Sequence, residues 1–151
     1  MPSLRPVMGR SESVAKLPEW ALTLLDRSRV ARLGLVDDGG GPRVLPVTYA
    51  LAGEAIVTAI DHKRKDAPLD RLARLRWLRA RPRAALTVDH YEEDWSQLCW
   101  VQAIGPVRIL DAADAPEALA VLTARYAQYR DRAPCGPVIS LIPDHLVWWQ
   151  A

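Results

Sequence analysis

Lysine is scarce in this chain of 151 residues: only Lys16, Lys63 and Lys65 are lysines, and arginine supplies the other basic residues. Two of the three lie in the segment 61–65, directly after the strand-like run 55–60. Lysine binds a phosphate as a compact point charge, and arginine binds it as a bidentate fork. The lysine pair at a strand exit therefore indicates either a phosphate contact or a solvated basic turn.

Cysteine is nearly absent, and familiar catalytic motifs are missing. Cys99 and Cys135 alone make neither a disulfide framework nor a metal knuckle. Cys99 lies in an apolar stretch, where we expect a buried free thiol. The histidines and carboxylates lack metal-ligand spacing, and the chain has no nucleophile elbow and no phosphate-cradling glycine loop. We therefore expect neither a metal site nor a catalytic side-chain set.

The chain also lacks a long hydrophobic run. No segment approaches the length needed to cross a bilayer, and residues 1–16 contain no apolar stretch of the kind found in signal peptides. These absences predict a cytoplasmic protein without a membrane partner. Half of the residues are hydrophobic, so we expect one domain over residues 17–151, preceded by a flexible tail at 1–16.

Positive charge is concentrated between residues 62 and 83. This segment carries nine positive and two negative side chains, a net charge of +7, whereas the whole chain carries +2. Such a local field predicts an anionic ligand or a nucleic acid. Binding of single-stranded RNA normally needs aromatic side chains among the basic ones, and Trp77 is the only aromatic residue here. We therefore favour a small anion over a nucleic-acid partner.

The hydrophobic pattern predicts an antiparallel sheet with helices inserted at three places. The predicted helices cover residues 18–27, 66–81 and 114–129, and the predicted strands cover residues 30–36, 43–51, 55–60, 84–90, 97–110, 137–142 and 145–149. Gly105 and Pro106 predict a bend in the longest strand. The pattern predicts the α+β class, mainly β, as an antiparallel barrel with peripheral helices.

The order of these segments resembles the FMN-binding split barrels of the pyridoxamine 5′-phosphate oxidase type. The resemblance covers residues 18–151, and its matching segments are residues 32–37, 39–47, 56–59 and 81–86. The segments 62–65 (His-Lys-Arg-Lys) and 89–95 (Asp-His-Tyr-Glu-Glu-Asp-Trp) resemble in particular the actinobacterial branch that uses the deazaflavin coenzyme F420. The resemblance implies an antiparallel six-stranded split β-barrel with peripheral helices. It also implies a homodimeric oxidoreductase that transfers a hydride between reduced F420 and a small organic substrate.

The resemblance also implies which residues bind the cofactor, in a cleft between two subunits. The phosphate would be held at the exit of the third strand by a pool of basic residues: Lys63, Arg64, Lys65, Arg71 and Arg74. The flat ring would lie over the second strand at Leu45, Pro46, Val47 and Thr48. Thr58 and Ala59 would contact the chain that leads to the phosphate, and Trp95 or Trp100 would line the pocket.

Several alternatives remain open at this stage. FMN is the alternative cofactor, although the surplus arginines Arg74, Arg76 and Arg79 would suit the oligoglutamate tail of F420, which FMN lacks. A flavin-binding or anion-binding module without enzymatic activity is a second class. An RNA-binding protein is the third. Of the adjacent Trp148 and Trp149, which point in opposite directions in a strand, one is expected in the core and the other in a subunit interface.

Overall fold

A computed structural model describes residues 7–60 and 69–151, with side chains described from residue 73 onward in the second range. The described residues form nine strands and four α-helices. The strands are β1 (Val7–Ser11), β2 (Ala31–Val36), β3 (Pro42–Val47), β4 (Ala50–Ala52), β5 (Ala55–Ala59), β6 (Arg83–His90), β7 (Cys99–Leu110), β8 (Val138–Leu141) and β9 (His145–Gln150). The helices are α1 (Glu19–Arg27), α2 (Leu69–Ala80), α3 (Pro116–Arg125) and α4 (Ala127–Asp131). The mainly β class is confirmed, whereas the six-strand count is not.

The strands form a single antiparallel sheet. Its order is β3-β2-β6-β7-β8-β5-β4, with β9 also paired to β7 and β1 paired to β9. The two ends of this path, β3 and β4, are separated in the chain only by Thr48 and Tyr49. The sheet must therefore curve until its edges approach each other, although no ladder joins β3 to β4 among the described strands.

The long strand β7 changes partner at Gly105 and Pro106, where the sequence predicts a bend. Residues 99–104 pair with β9, and residues 107–110 pair with β8. A Cβ atom on Gly105 would lie 2.3 Å from the carbonyl oxygen of Ile142 and 2.8 Å from the Cα of Pro143. Only glycine permits this close approach of two backbones, so the bend depends on it.

The core lies inside the curved sheet. Helix α1 contributes Ala21, Leu24 and Leu25, and α2 contributes Leu75 and Leu78, each at most 5% exposed. These positions recur at helical spacing, so each helix turns one apolar stripe inward. A smaller core between α3 and the strands β4 and β5 includes Val57, Leu122, Tyr126 and Tyr129.

Three boundary predictions need correction. Residues 7–16 were expected in a loose tail, but β1 pairs with β9, and Val14 is buried in the 3₁₀ turn Val14–Lys16. The strand predicted at 43–51 is divided into β3 and β4. The helix predicted at 114–129 is divided into α3 and α4, because Tyr126 has an extended backbone with φ −115° and ψ 118°. Among the described helices, none has the length and apolar character needed to span a membrane.

Candidate functional site

The gap between β3 and β4 is bridged by one tyrosine hydroxyl. The backbone N–H of Tyr49 donates to the Tyr126 hydroxyl at 3.0 Å. That hydroxyl lies 2.9 Å from the carbonyl oxygens of both Tyr49 and Arg29, to either of which it can donate its proton. The extended backbone at Tyr126 separates α3 from α4 at this point. The hydroxyl therefore replaces the missing ladder partner, as buried backbone groups require.

Tyr49 and Arg125 attach this gap to the end of α1. The Tyr49 side chain is completely buried, and its hydroxyl donates to the carbonyl oxygen of Leu25 at 2.5 Å. Burial raises the pKa of Tyr49 to about 12, so the hydroxyl stays protonated at neutral pH. Arg125, only 11% exposed, donates to the carbonyl oxygens of Leu25 and Ser28, and its guanidinium lies 4.9 Å from the centre of the Tyr49 ring. This arginine satisfies carbonyl groups at the C-terminus of α1.

A cavity of about 550 Å³ opens beside the gap. Thr48 lies in its wall, and the Thr48 Oγ1 atom is 2.8 Å from the Tyr129 hydroxyl. The lining contains arginine, tyrosine and threonine donors but no carboxylate and no histidine. The full lining is Arg29, Val30, Thr48, Arg125, Tyr126, Ala127, Gln128, Tyr129 and Arg130. This donor set is suited to binding and orienting an anionic ligand.

The outer face of β3 lies next to this cavity in the chain. Pro46 pairs with Arg32, and Val44, which is 67% exposed, pairs with Gly34 on the same face. Leu45 and Val47 alternate with them, face the core, and are accessible to an outer ligand through their backbone only. In the described sheet β3 has one neighbour, so half of its backbone hydrogen-bonding groups point away from β2.

Thr58 and Ala59 do not line the cavity. Thr58 is 5% exposed and pairs with Ile139 of the main core, and Ala59, 8% exposed, lies in the smaller core with Tyr126 and Tyr129. Ala59 therefore packs behind the cavity wall, whereas Thr58 faces the inside of the curved sheet.

The predicted phosphate pool is only partly described. Lys63, Arg64 and Lys65 lie outside the described residues, as does the side chain of Arg71. Arg74 is half-buried on α2.

Other arginines of the basic segment have partners elsewhere in the fold. Arg76 contacts Asp38 at 2.8 Å and 3.1 Å, and this hydrogen bonding holds the pKa of the Asp38 carboxyl below its ordinary value. Arg81 donates to the carbonyl oxygen of Asp37 at 2.8 Å. Part of the positive field is thus compensated by the loop between β2 and β3.

The tryptophans occupy different environments. Trp95 is 75% exposed in the 3₁₀ turn Trp95–Gln97, whereas Trp100 is half-buried on the outer face, in a cross-strand row with Trp149. Three strand spacings of about 4.8 Å separate β7 from β3, and the β7 residue in the row of Pro46 is Gln102, so Trp100 is not a neighbour of Pro46. Neither residue lines the cavity. Trp148 packs against the core and Trp149 faces outward, which confirms their predicted opposite orientations.

Except for Thr48, sequence reasoning missed the residues that build the cavity. Tyr126 and Tyr129 are three positions apart and lie at the end of the helix predicted at residues 114–129. Arg29 and Arg125 are 96 positions apart, yet Arg29 donates to the Arg125 carbonyl oxygen at 2.9 Å. Within the part of the chain that the structure describes, no group of three or more histidine, cysteine or carboxylate side chains could hold a metal.

Comparisons with known proteins extend these observations. The family model described as pyridoxamine 5′-phosphate oxidase matches residues 18–138. A FAD-binding protein from Mesorhizobium loti is 18% identical, with a TM-score of 0.65, over 96% of this chain and 99% of its own. A heme-binding protein from Mycobacterium smegmatis is 20% identical (TM-score 0.66), over 87% of this chain and 54% of its own. An F420 reductase is 21% identical (TM-score 0.61), over 86% of this chain and 98% of its own.

These structural similarities establish the fold and leave the ligand open, because the three similar proteins are named for three different ligands. Among curated proteins, no significant match was found.

Proposed function

Because the chain belongs to the pyridoxamine 5′-phosphate oxidase family, we propose that it is a cytoplasmic F420-dependent oxidoreductase that transfers a hydride between the reduced deazaflavin and a small organic substrate. One observation carries the proposal: β3, whose outer face and edge are accessible, is followed directly in the chain by Thr48, a residue of the donor-lined cavity. The flat ring of the cofactor would lie on the outer face of β3, and the anionic chain attached to the ring would lie in the cavity.

The residues present fit such a cofactor. The outward edge of β3 offers backbone donors and acceptors for the polar edge of a ring, while Val44 and Pro46 offer apolar contact to its face. Thr48 directly follows β3 and lines the cavity, so its hydroxyl would contact the part of the cofactor next to the ring. Lys63, Arg64 and Lys65 remain the proposed phosphate contacts, since they follow β5 in the sequence.

The side chains of the cavity indicate which tasks the protein would perform and which the cofactor would perform. When bound, F420 would supply the hydride chemistry, as redox cofactors do. The cavity lining has no carboxylate and no histidine, so its residues would bind and orient the cofactor and exclude water. Thr48 and Tyr129 donate or accept hydrogen bonds there. The substrate would approach the ring from the outer side of β3.

F420 is preferred to FMN for two reasons. The segments 62–65 and 89–95 resemble the F420-using branch, and an F420 reductase is among the proteins of similar fold. FMN is the alternative, supported by the FAD-binding protein of the same fold. A nucleic-acid partner is disfavoured because Trp77 is only 7% exposed, with the Arg43 guanidinium 4.8 Å from its ring centre. It cannot serve as a stacking platform.

We further propose that the protein is a homodimer whose interface is the outer face of β3, β2, β6, β7, β9 and β1. This face carries apolar side chains from at least four strands, whereas α1 and α2 pack on its other side. They include Met8, Val44, Ile104, Val147 and Trp149. A second copy on this face would enclose the ring between subunits.

A titration tests the proposed function. Apo protein is titrated with F420 and with FMN, followed by fluorescence, and the F420 complex is then reduced and mixed with candidate electron-poor acceptors. We expect F420 to bind more tightly than FMN and reduced F420 to be reoxidised. Equal binding of both cofactors, or binding of neither, would exclude the F420-dependent function.

A matched pair of variants tests whether the cofactor ring binds at β3. Val44→Glu places a charge on the outer face of β3, whereas Ile142→Glu places one at another exposed apolar position, in the turn between β8 and β9. We expect Val44→Glu to weaken F420 binding at least tenfold and Ile142→Glu to leave it unchanged. Unchanged binding in Val44→Glu would move the ring away from β3.

A further inference from the structure

The fold gathers three arginines from distant parts of the sequence into one cavity. Arg29 follows α1, Arg125 ends α3, and Arg130 lies in α4, and all three line the cavity at Thr48. No carboxylate is among the nine lining residues, so the lining carries a formal charge of +3. A concave surface with one sign of charge concentrates ligands of the opposite sign.

The three arginines differ in their burial and in the hydrogen bonds that they already make within the fold. Arg125 is mostly buried and satisfies the carbonyl groups of Leu25 and Ser28. Arg29 is exposed and contacts the Arg125 carbonyl oxygen through one nitrogen only. Arg130 is exposed, and its contacts with Thr123 and Ala124 are long, at 3.4 Å and 3.3 Å. Arg29 and Arg130 therefore retain donor capacity for a ligand.

Arg76 on α2 is less suited to the same task. Arg76 is held by Asp38, with both of its contacts to that carboxylate at or below 3.1 Å. An anion that binds Arg76 must either displace the Asp38 carboxylate or bind next to it. The sequence predicts contacts between an oligoglutamate tail and Arg74, Arg76 and Arg79. The cavity lining itself contains no carboxylate, and the Asp26 carboxylate, which lies outside the lining, is 3.7 Å from Arg125.

We propose that the cavity of Arg29, Arg125 and Arg130 binds an oligocarboxylate. On the proposed function, on which this identification of the ligand rests, the oligocarboxylate is the glutamate tail of F420. Arginine forms bidentate contacts with carboxylates, and Thr48, which directly follows β3 in the chain, lines the same cavity as these arginines. The cavity volume of about 550 Å³ is within the range of small-molecule sites, about 300–1,000 Å³.

Two double variants with equal charge change test the assignment. Arg29→Gln with Arg130→Gln removes the two exposed cavity charges, and Arg76→Gln with Arg79→Gln removes two charges from α2. Arg125 is kept because it supports α1. Each protein is titrated with F420 carrying several glutamates and with its tail-less precursor, at several salt concentrations, after circular dichroism has verified the fold.

In the wild type we expect tailed F420 to bind at least tenfold more tightly than the tail-less precursor at low salt. The difference should shrink as salt screens the charge pairs, over a Debye length of about 10 Å at 0.1 M. The cavity variant should lose the difference and the α2 variant should keep it. The inference is overturned if the cavity variant keeps the difference, or if the α2 variant alone loses it.

A cofactor-independent measurement separates this inference from the proposed function. Calorimetry with a tri-γ-glutamate peptide should detect binding to the wild type and to the α2 variant, and none to the cavity variant. If F420 binds without any dependence on its tail and the peptide does not bind, the inference fails while the proposed function stands. If neither cofactor binds but the peptide does, the proposed function fails while the oligocarboxylate site stands.

Discussion

At the scale of single residues, the hydroxyl of Tyr126 makes the hydrogen bonds that satisfy the backbone near the candidate site. It contacts the backbone of Tyr49 and the carbonyl oxygen of Arg29, in a region where Tyr126 itself is 7% exposed. Buried backbone groups without a hydrogen-bond partner are costly, so this one atom allows the sheet to be interrupted at the place where a ligand would enter.

The first prediction removes that atom. Tyr126→Phe should lower the free energy of unfolding by about 1–3 kcal/mol, because it leaves buried backbone groups unsatisfied. Urea denaturation measures the change. Tyr91→Phe, at a 67% exposed position, is the matched control and should stay within about 0.5 kcal/mol of the wild type. Equal midpoints for the two variants would contradict the role assigned to the hydroxyl.

The second prediction concerns Asp144, whose carboxylate accepts two hydrogen bonds from Arg83, at 2.7 Å and 2.8 Å. This contact holds the pKa of Asp144 below its ordinary value of 3.8. Because the folded-state pKa is the lower one, the contact stabilises the fold above pH 3.8, and this contribution is lost as the pH falls through the folded-state pKa.

Thermal unfolding of Asp144→Asn tests the predicted direction of this pH dependence. The variant should melt slightly below the wild type at pH 7, and the two melting temperatures should converge as the pH approaches 2. The effect is small because both side chains are exposed. Asp111→Asn, an exposed aspartate with no ion pair among the described residues, should run parallel to the wild type. A gap in melting temperature that widens on acidification would refute the assignment.

At the scale of secondary-structure elements, Gly105 determines where β7 passes from β9 to β8. An added Cβ atom would meet the backbone of Ile142 and Pro143 at less than 3 Å, so either β7 or the turn between β8 and β9 would have to move. Because β8 and β9 both pair with β7, a shift of the turn between them would also disturb these two ladders.

The third prediction is that Gly105→Ala lowers the free energy of unfolding by about 1–3 kcal/mol, as overpacked substitutions do. Gly34→Ala in β2 is the control, because its Cβ would meet Ala85 at ordinary contact distances of 3.7 Å and 3.8 Å. Its denaturation midpoint should equal or slightly exceed that of the wild type. A Gly105→Ala protein as stable as Gly34→Ala would show that the bend tolerates a side chain.

At the scale of the whole molecule, the two halves of the sheet are covered differently. Helix α3 packs over β4 and β5, and it contributes Leu122 to the smaller core. The outer face around β7 has no helix among those described that is packed on it in this way, and it carries Trp100 and Trp149. A second copy of the chain is the partner that we propose for this face.

The fourth prediction is a dimer in solution. Light scattering at micromolar concentration should give twice the chain mass of 16.8 kDa. Ile104→Lys with Val147→Lys, both on the outer face, should give monomers that bind F420 at least tenfold more weakly, because the site would lose one of its walls. Ala124→Lys with Ile142→Lys, at exposed positions off this face, should remain dimeric. A wild-type monomer that binds F420 tightly would refute this assembly.

The sequence by itself determined the features that depend on local periodicity. Alternation of apolar residues located most strands, and it predicted that Trp148 and Trp149 point to opposite sides. The apolar surroundings of Cys99 predicted a buried free thiol, which the structure contains. Gly105 and Pro106 marked the point where β7 changes partner. The order of these segments was enough to indicate the family, whose model matches residues 18–138.

Only the tertiary structure decided the candidate site. The gap after Val47 has no local signal, because its hydrogen bonds come from Tyr126, 77 positions after Tyr49. Arg29 meets the Arg125 carbonyl oxygen across 96 positions, and Arg76 meets Asp38 across 38. Whether an arginine is available to a ligand depends on which carboxylates and carbonyl groups the folded chain places beside it. Hydrogen bonds and ion pairs act over a few ångströms in space, so sequence spacing alone cannot assign them.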